Sequence, residues 1–495
     1  MEEFIGRGSE TLVVGGGRSG LAAANLALEL GARVSVVDDD PEAFSRTEWA
    51  SFQRHGGRIL SDRAIGPWIR NSSSHVIMSP GVPPLLWSGE VVAPPLPHVR
   101  GELEWAASLW PHPVIAIAGT NGKSTTTALV GHLLKVAGLS PFIGGNFGTP
   151  LSEGVRQVRK ARAKGDPSPY DVGVIEVSSF QTESMKAFSP TLYLLLNITP
   201  DHLDRYGDYG LYREAKLKAV SLFGDGTTVI WNGDQEDYRN GRMRGAAGAA
   251  FVTRSEQGRD SFGEVPFARI LPDGLSISGI PGVPEEILVS TRTFRLAGGG
   301  NQENLAFSVL AVILFLLRTG RPVSFPLLEQ GIASFTGLPH RMERIGEVRG
   351  VTFVNDSKAT NVGAVEAALA GLPDSDHPTT VLILGGRDKG GSYLPLVPGI
   401  RRHVKEVVVL GEAREKIRRE LSPHVHVEEA SDFYEAVARA FSVADPGETV
   451  LLSPACSSYD MFHGYEERGE RFREAVKRLG EQFGEKEGNG HETRR

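Results

Sequence analysis

The sequence predicts an α/β protein of three domains, each built on a mainly parallel sheet. Three observations carry this. Strand, glycine turn and helix follow one another at 11–37 and again at 113–138, the last third alternates apolar runs with helical segments, and Pro/Gly breaks fall near 99–102 and 337–339. At roughly 100–200 residues per domain, 495 residues leave room for about three cores.

The first unit reads as strand 11–14, a glycine-rich turn, an alanine-rich helix 21–30 and strand 33–37, which ends in Asp38-Asp39-Asp40. Another apolar run at 75–78 precedes Ser79-Pro80-Gly81-Val82-Pro83-Pro84, and the Pro-rich stretch 94–97 approaches the first boundary. The second unit opens with the apolar strand 113–118, turns through Gly119-Thr120-Asn121-Gly122-Lys123-Ser124-Thr125, and continues as a helix ending near Gly138. Strands at 172–177 and 191–198 follow, then a polar, Gly-rich region 232–300 and an apolar helix 304–317. The second boundary is Gly337-Leu338-Pro339. Beyond it, strands at 351–355, 379–384, 406–410 and 449–453 alternate with helices such as 432–443, which implies another parallel sheet. The expected domains are 1–100, 101–337 and 338–480, with 481–495 a disordered tail; the polar composition extends that expectation back to Gly480. The basic stretch 155–171, with Arg156, Arg159, Lys160, Arg162 and Lys164, reads as a solvated loop.

Composition narrows the class. With 53 Lys+Arg against 60 Asp+Glu the chain carries a net −7, which gives no footprint for nucleic acid. One cysteine, Cys456, excludes an intramolecular disulfide and a cysteine-based metal cluster, and fits a reducing cytoplasm. The most apolar stretch, 305–317, is interrupted by Ser308 and falls short of the ~18–20 residues of a membrane span. The start, Met1-Glu2-Glu3, lacks the basic region of a signal peptide. A cytoplasmic monomer with no integral membrane segment is expected.

Chemistry concentrates at the second glycine turn. A glycine loop between a buried strand and a helix aims backbone N–H groups and the positive end of the helix dipole at phosphate, with Lys123 as a mobile charge. Ser124 or Thr125 can then reach Mg²⁺. Ile117 stands where the general phosphate-loop pattern has its first glycine, so that pattern is only partly matched. ATP is the expected nucleotide, and a glycine turn of purely structural purpose is the plain alternative. The first turn, Gly15-Gly16-Gly17-Arg18-Ser19-Gly20, satisfies the dinucleotide pattern, with Asp38 ending the next strand about 20 residues on. Taken alone it predicts a nicotinamide-dependent oxidoreductase.

Further blocks decide between these. Glu176-Val177-Ser178-Ser179-Phe180-Gln181, Asn197-Ile198-Thr199-Pro200-Asp201-His202-Leu203-Asp204 and Tyr212-Arg213-Glu214-Ala215-Lys216, with the second glycine loop, resemble the central domain of the Mur ligases. Gly337-Leu338-Pro339-His340-Arg341, Asn355-Asp356-Ser357-Lys358-Ala359-Thr360-Asn361 and Ser453-Pro454-Ala455-Cys456-Ser457-Ser458-Tyr459-Asp460 resemble the D-glutamate-adding branch of that family. The resemblance spans about Gly15 to Phe472. It implies a Rossmann-like N-terminal domain for a UDP-sugar, a central domain of the phosphate-loop ATPase kind, and a Rossmann-like C-terminal domain for the amino acid. The implied activity is ATP-dependent ligation of D-glutamate to UDP-N-acetylmuramoyl-L-alanine through an acyl phosphate, in peptidoglycan precursor synthesis.

Residue roles follow from the resemblance. Gly119, Thr120, Asn121, Gly122, Lys123, Ser124 and Thr125, with Asn304, Arg341, Asp356 and Lys358, would bind ATP. Lys123, Glu176, His202 and Lys216 would form the catalytic set; Ser124, Glu176, His202 and Lys216, the last as a carbamate, would hold Mg²⁺. Lys218 is the nearby alternative to Lys216. Arg18, Ser19, Asp38 and Asn146 would contact the UDP-sugar, and Thr360, Lys389, Ser458 and Tyr465 D-glutamate, since a lysine and hydroxyls suit a dicarboxylate. Each has a plain reading: an edge acid for Glu176, dipole-complementing acids around His202, a turn asparagine for Asn146, helix capping for Asn301 and Asn304. Gly300 stands where many relatives have histidine, and Tyr465 where they often have phenylalanine. Three other readings compete: a different Mur or folylpolyglutamate-type ligase, an oxidoreductase using only the first domain, and a catalytically silent nucleotide binder.

Overall fold

The computed structural model describes residues 5–45, 47–60, 68, 74–82, 98–235, 248–255, 265–280, 286–296, 298–372 and 375–484. They form three sheets, of five, nine and six strands. The chain divides into two compact units. One comprises Met1–Ile198, Arg213–Thr293 and Asn304–Ala333, the other Thr199–Tyr212, Phe294–Glu303 and Ser334–Arg495.

The first unit contains two sheets. In the N-terminal one, β1 (Glu10–Val14), β2 (Arg33–Val37), β3 (Arg58–Ile59), β4 (Ser74–Met78) and β5 (Val99–Gly101) pair in the order β3-β2-β1-β4-β5. All of these pairs are parallel. Leu12, Val14, Val37, Val76, Met78 and Val99 are buried together, as the apolar runs require. The helix Arg18–Glu29 crosses from β1 to β2 and buries Ala22, Ala23, Ala24 and Ala27, whose small side chains let it lie close to the sheet. The order reverses beside β1, so a ligand crevice falls at its carboxyl end, where the first glycine turn sits.

The second sheet contains β6 (Val114–Ala118), β7 (Pro141–Gly145), β8 (Val172–Glu176), β9 (Leu192–Leu195), β10 (Thr228–Asn232), β11 (Ala249–Thr253), β12 (Phe267–Leu271), β13 (Gly274–Ser278) and β14 (Glu286–Ser290). Their order is β14-β13-β12-β11-β10-β9-β6-β8-β7. The strands from β7 to β12 pair in parallel, and β13 and β14 continue antiparallel. The region 232–300, polar and glycine-rich in sequence, therefore contributes β11 to β14. Glu286–Ser290 is exposed at alternate residues, so its pattern is that of a one-sided edge strand. The apolar helix runs Gly299–Arg318 and passes the length and composition of a membrane span, but 67% of its apolar window is buried inside the protein.

The basic stretch expected to be a loop is a helix, Leu151–Lys164, for most of its length. Leu151, Gly154, Val155 and Val158 are buried at helical spacing, and the charges occupy the other face. This helix packs on the N-terminal part of the unit: the Arg156 guanidinium donates to Glu29 at 2.6 Å, and the Ser152 amide and hydroxyl donate to buried Glu102.

The second unit has one sheet. β15 (Glu343–Val348), β16 (Val351–Asn355), β17 (Thr380–Gly385), β18 (Val404–Leu410), β19 (His426–Glu429) and β20 (Thr449–Leu452) pair in the order β15-β16-β20-β17-β18-β19. Only β15 is antiparallel. Alternate residues of the same strands bury on opposite faces: Val381, Ile383, Val450 and Leu452 on one, Leu382, Leu384 and Leu451 on the other. That is why these runs read as continuously apolar. The last helix, Tyr465–Gly484, extends through Gly480 to Gly484, which corrects the expectation of disorder there. The remainder of the expected tail and the Pro-rich stretch 94–97 lie outside the described residues.

Candidate active site

The second glycine turn joins β6 to the helix Lys123–Val136. Gly119 and Gly122 have φ of +143° and +83°, where a β-carbon is strained, and a β-carbon on Gly122 would stand 2.2 Å from Asn304 Oδ1. No side chain caps the helix at Gly122, so its first turn presents backbone N–H groups and the positive dipole end. Asn197, at the end of β9, holds the loop. Its Oδ1 accepts from Asn121 N–H at 2.8 Å, its Nδ2 donates to Asn121 O at 3.1 Å, and its carbonyl accepts from Thr120 N–H at 2.9 Å. Asn304 braces the other side by accepting from the Thr126 hydroxyl at 3.2 Å.

Around this loop the structure brings together most of the central-domain residues named from sequence. Lys123 Nζ donates to Thr120 O at 2.7 Å. Ser124 Oγ donates to Glu176 Oε2 at 2.6 Å, and Asn146 Nδ2 donates to Glu176 Oε1 at 2.8 Å. Glu176, at the carboxyl end of β8, is buried, so both carboxylate oxygens have their orientation fixed by these two donors. Lys216 is buried and its ammonium donates to Gly119 O at 2.7 Å, whereas Lys218 points elsewhere, to Glu183 O. A hydroxyl and a carboxylate side by side at a helix N-terminus form a hard, all-oxygen donor set of the kind Mg²⁺ takes together with phosphate oxygens.

At the N-terminal turn, Asp38 Oδ2 accepts from Gly16 N–H at 2.5 Å and Oδ1 from Asp40 N–H at 2.9 Å. A β-carbon on Gly20 would lie 1.8 Å from Gly15 O, so the third glycine is required by the close approach of helix and turn. Arg18 is exposed and Ser19 half-exposed at the start of that helix.

In the second unit, the functional blocks sit at the carboxyl ends of adjacent strands. Asp356 follows β16, Ser453 follows β20, and Gly385 closes β17. Asp356 is buried and accepts from Ser453 Oγ at 2.7 Å and Met342 N–H at 3.2 Å. Burial pushes its carboxyl up to about 6, against the opposing pull of these hydrogen bonds and of Arg341 and Arg468. Lys358 Nζ stands 3.5 Å from the Tyr465 ring centre, joining a residue expected at ATP to one expected at the amino acid. Thr360 N–H bonds to Lys358 O, and Ser458 is buried. Lys389 Nζ lies 3.4 Å from Asp201 Oδ1, while Asn361 Nδ2 donates to Asp201 Oδ2 at 3.1 Å. Asp201 also accepts from His202 N–H at 2.9 Å, and His202 itself has φ of +52° at the head of the short helix Leu203–Tyr206. Sequence reasoning gave Asp201 only a dipole role; the structure adds its ion pair with Lys389.

Two further residues were missed. Asn197 was quoted within a block but given no task. Arg468 is buried and donates to Ser357 Oγ at 3.0 Å, Ser357 O at 2.9 Å and Cys456 O at 3.1 Å, with no role read from sequence. Cys456 is buried, donor or acceptor to Tyr393 Oη at 3.1 Å, and burial pushes its thiol up to about 12, which disfavours the thiolate form.

Three family models match this chain: Mur ligase middle domain over 117–312, Mur ligase, glutamate ligase domain over 340–456, and alanine dehydrogenase/PNT, C-terminal domain over 6–57. The third covers the turn with the dinucleotide pattern. A UDP-N-acetylmuramoylalanine--D-glutamate ligase of Geobacter metallireducens is 38% identical over 483 residues, 96% of this chain and 98% of that protein. Among solved structures, a UDP-N-acetylmuramate-alanine ligase of Thermotoga maritima aligns with a TM-score of 0.57 at 18% identity, covering 95% of this chain and 99% of that one. A folylpolyglutamate synthase of Mycobacterium tuberculosis, complexed with ADP, aligns with a TM-score of 0.53 at 16% identity over 75% of this chain and 92% of that one. The fold is thus shared by ligases with different acceptors, and discrimination rests on particular residues.

Proposed function

The chain belongs to the Mur ligase family of ATP-dependent ligases, and we propose that it joins D-glutamate to UDP-N-acetylmuramoyl-L-alanine, with ADP and phosphate as the other products. The observation that carries this reading is the near-full-length likeness to ligases of that name, together with a phosphate loop whose Ser124–Glu176 pair is already in contact. The N-terminal dinucleotide pattern then serves the UDP moiety, through Arg18, Ser19 and Asp38, rather than a nicotinamide.

The alanyl carboxylate attacks the γ-phosphorus of ATP; ADP departs and an acyl phosphate remains. The loop amides and Lys123 stabilise charge on the transferring phosphoryl group. Ser124 and Glu176, with His202 and a carbamylated Lys216, would hold Mg²⁺, which would supply further charge neutralisation. Carbamylation converts Lys216 from a cation into an oxygen donor, and its burial beside the loop, in contrast to Lys218, supports the choice between the two. The free amine of D-glutamate adds to the acyl carbon, and the tetrahedral intermediate expels phosphate. Thr360, Lys389, Ser458 and Tyr465 bind the amino acid, with its carboxylate replacing Asp201 as the partner of Lys389. Arg341, Asp356, Lys358 and Asn304 serve ATP. Asn146 orients Glu176 and through it the metal side of the sugar-nucleotide site. The reaction belongs to the cytoplasm, where ATP and nucleotide sugars are made.

Mass spectrometry of the product tests this. Incubation with Mg-ATP, UDP-N-acetylmuramoyl-L-alanine and D-glutamate should give a species heavier by one glutamyl residue. A product carrying a different amino acid would keep the ligase and overturn the acceptor.

A further inference from the structure

Arg468 is 1% exposed, and no carboxylate among the described residues lies within ion-pair distance of it. Burial pushes its guanidinium down, but only to about 10, so it stays charged at neutral pH. Asp460 and Asp356 offset this desolvation only in part, and an apolar side chain would fill the same volume at less cost. What the guanidinium does instead is bond to the chain at three strand ends. Nε donates to Ser357 Oγ at 3.0 Å, and Nη2 to Ser357 O at 2.9 Å and Cys456 O at 3.1 Å. Nη1 reaches Gly385 O and Ser457 O, both at 3.5 Å. The surrounding backbone is shaped to admit it: Gly386 has φ of +136°, and a β-carbon there would meet Ser457 O at 2.2 Å and Arg468 Nη1 at 3.2 Å.

These three strand ends carry the residues expected to bind the acceptor. Ser357 precedes Thr360, Gly385 precedes Lys389, Ser457 adjoins Ser458, and Arg468 lies one turn along the helix from Tyr465, whose carbonyl accepts from Ser357 Oγ at 2.8 Å. We propose that Arg468 is a positioning residue for the acceptor amino acid, fixing the ends of β16, β17 and β20 that carry the residues of a site for a dicarboxylate. The planar fork matters as well as the charge, since one ammonium cannot reach Ser357, Cys456 and Gly385 together. This inference rests on the acceptor reading above.

The test is steady-state kinetics of Arg468→Met, Arg468→Lys and Ser357→Ala, with ADP binding and melting temperature as controls of folding. Arg468→Met should raise the KM for D-glutamate by about tenfold or more, consistent with loss of charge-assisted bonds, and leave the KM values for ATP and UDP-N-acetylmuramoyl-L-alanine within about twofold of the parent. Arg468→Lys should raise it too, by less. Ser357→Ala, which removes the hydroxyl's bonds with Arg468 Nε and Tyr465 O but leaves the other Arg468 contacts, should raise it about threefold. An unchanged D-glutamate KM in a variant that still binds ADP overturns the proposal, as does a parallel rise for all three substrates. If Arg468→Met does not fold, Ser357→Ala decides alone by the same criterion. Should the parent protein accept another amino acid in place of D-glutamate, the acceptor reading fails, and Arg468 is judged on the KM for that amino acid.

Discussion

Replacing Gly122 by alanine sets two costs against each other that a second substitution can separate. Gly122 has φ of +83°, in the left-handed region, so any β-carbon costs about 1–2 kcal/mol there. The same β-carbon would stand 2.2 Å from Asn304 Oδ1, well inside contact distance, and Asn304 is itself buried and bonded to Thr126. Relieving that overlap costs roughly 1–3 kcal/mol more. Asn304→Ala removes the obstacle and the Thr126 bond, worth about 0.5–1.5 kcal/mol. In the double variant the overlap vanishes, so the two changes should fall short of additivity by about 1–3 kcal/mol. Urea denaturation followed by tryptophan fluorescence reads the cycle, and calorimetric ATP affinity reads its effect on the loop. Gly122→Ala alone should weaken ATP binding by at least about tenfold, the change that each 1.4 kcal/mol produces. Additivity within about 0.5 kcal/mol would refute the claim that Asn304 packs against the loop.

Three other outcomes follow from the same geometry. Lys216→Ala should abolish most activity, and ¹³C-bicarbonate should give a carbamate NMR signal in the parent and in Lys218→Ala but not in Lys216→Ala; the reverse pattern would move the modification to Lys218. Because burial holds the folded Asp356 carboxyl near 6 against an ordinary 3.8, its contribution to stability is full below 3.8 and is lost as pH rises through about 6. That difference is roughly 3 kcal/mol, and Asp356→Asn should flatten the melting-temperature profile over pH 4–7, whereas an unchanged profile would contradict the buried, raised carboxyl. Tyr465→Phe keeps the ring beneath Lys358 and should be near neutral, while Tyr465→Leu should lose about 0.5–2 kcal/mol of substrate binding; equal effects of the two would remove the ring contact.

The parts of the fold that sequence predicts well are those whose pattern has one physical cause. Glycine turns between apolar strands and helices could be read at Gly15 and Gly119 because backbone approach leaves no alternative residue there. The continuous apolar runs of β17 and β20 could be read because parallel strands bury both faces. The helix Leu151–Lys164 was hidden by its charges, although Leu151, Val155 and Val158 already stood at helical spacing. Strands β11 to β14 were hidden by glycine and serine: Ser276 and Ser278 lie buried on β13, so polarity there does not mean exposure. At the site, the loop could be named from its own pattern of glycines and Lys123 between strand and helix, whereas Glu176 and Lys216 were named through the family resemblance, which alone separates Lys216 from Lys218 in sequence. Asn197, Asp201 and Arg468 could not, since each acts through partners distant in sequence: Asn121, Lys389, and the segments at Ser357 and Cys456. A buried arginine is indistinguishable in sequence from the exposed Arg471 that follows it in Glu466-Glu467-Arg468-Gly469-Glu470-Arg471.

The most direct test of the central claim is phosphate release by the purified protein with Mg-ATP and UDP-N-acetylmuramoyl-L-alanine, with D-glutamate compared against L-glutamate, L-alanine, L-lysine and no amino acid. Release that depends on D-glutamate is the predicted result. Release that is equal in every arm, or absent from all of them, would contradict it.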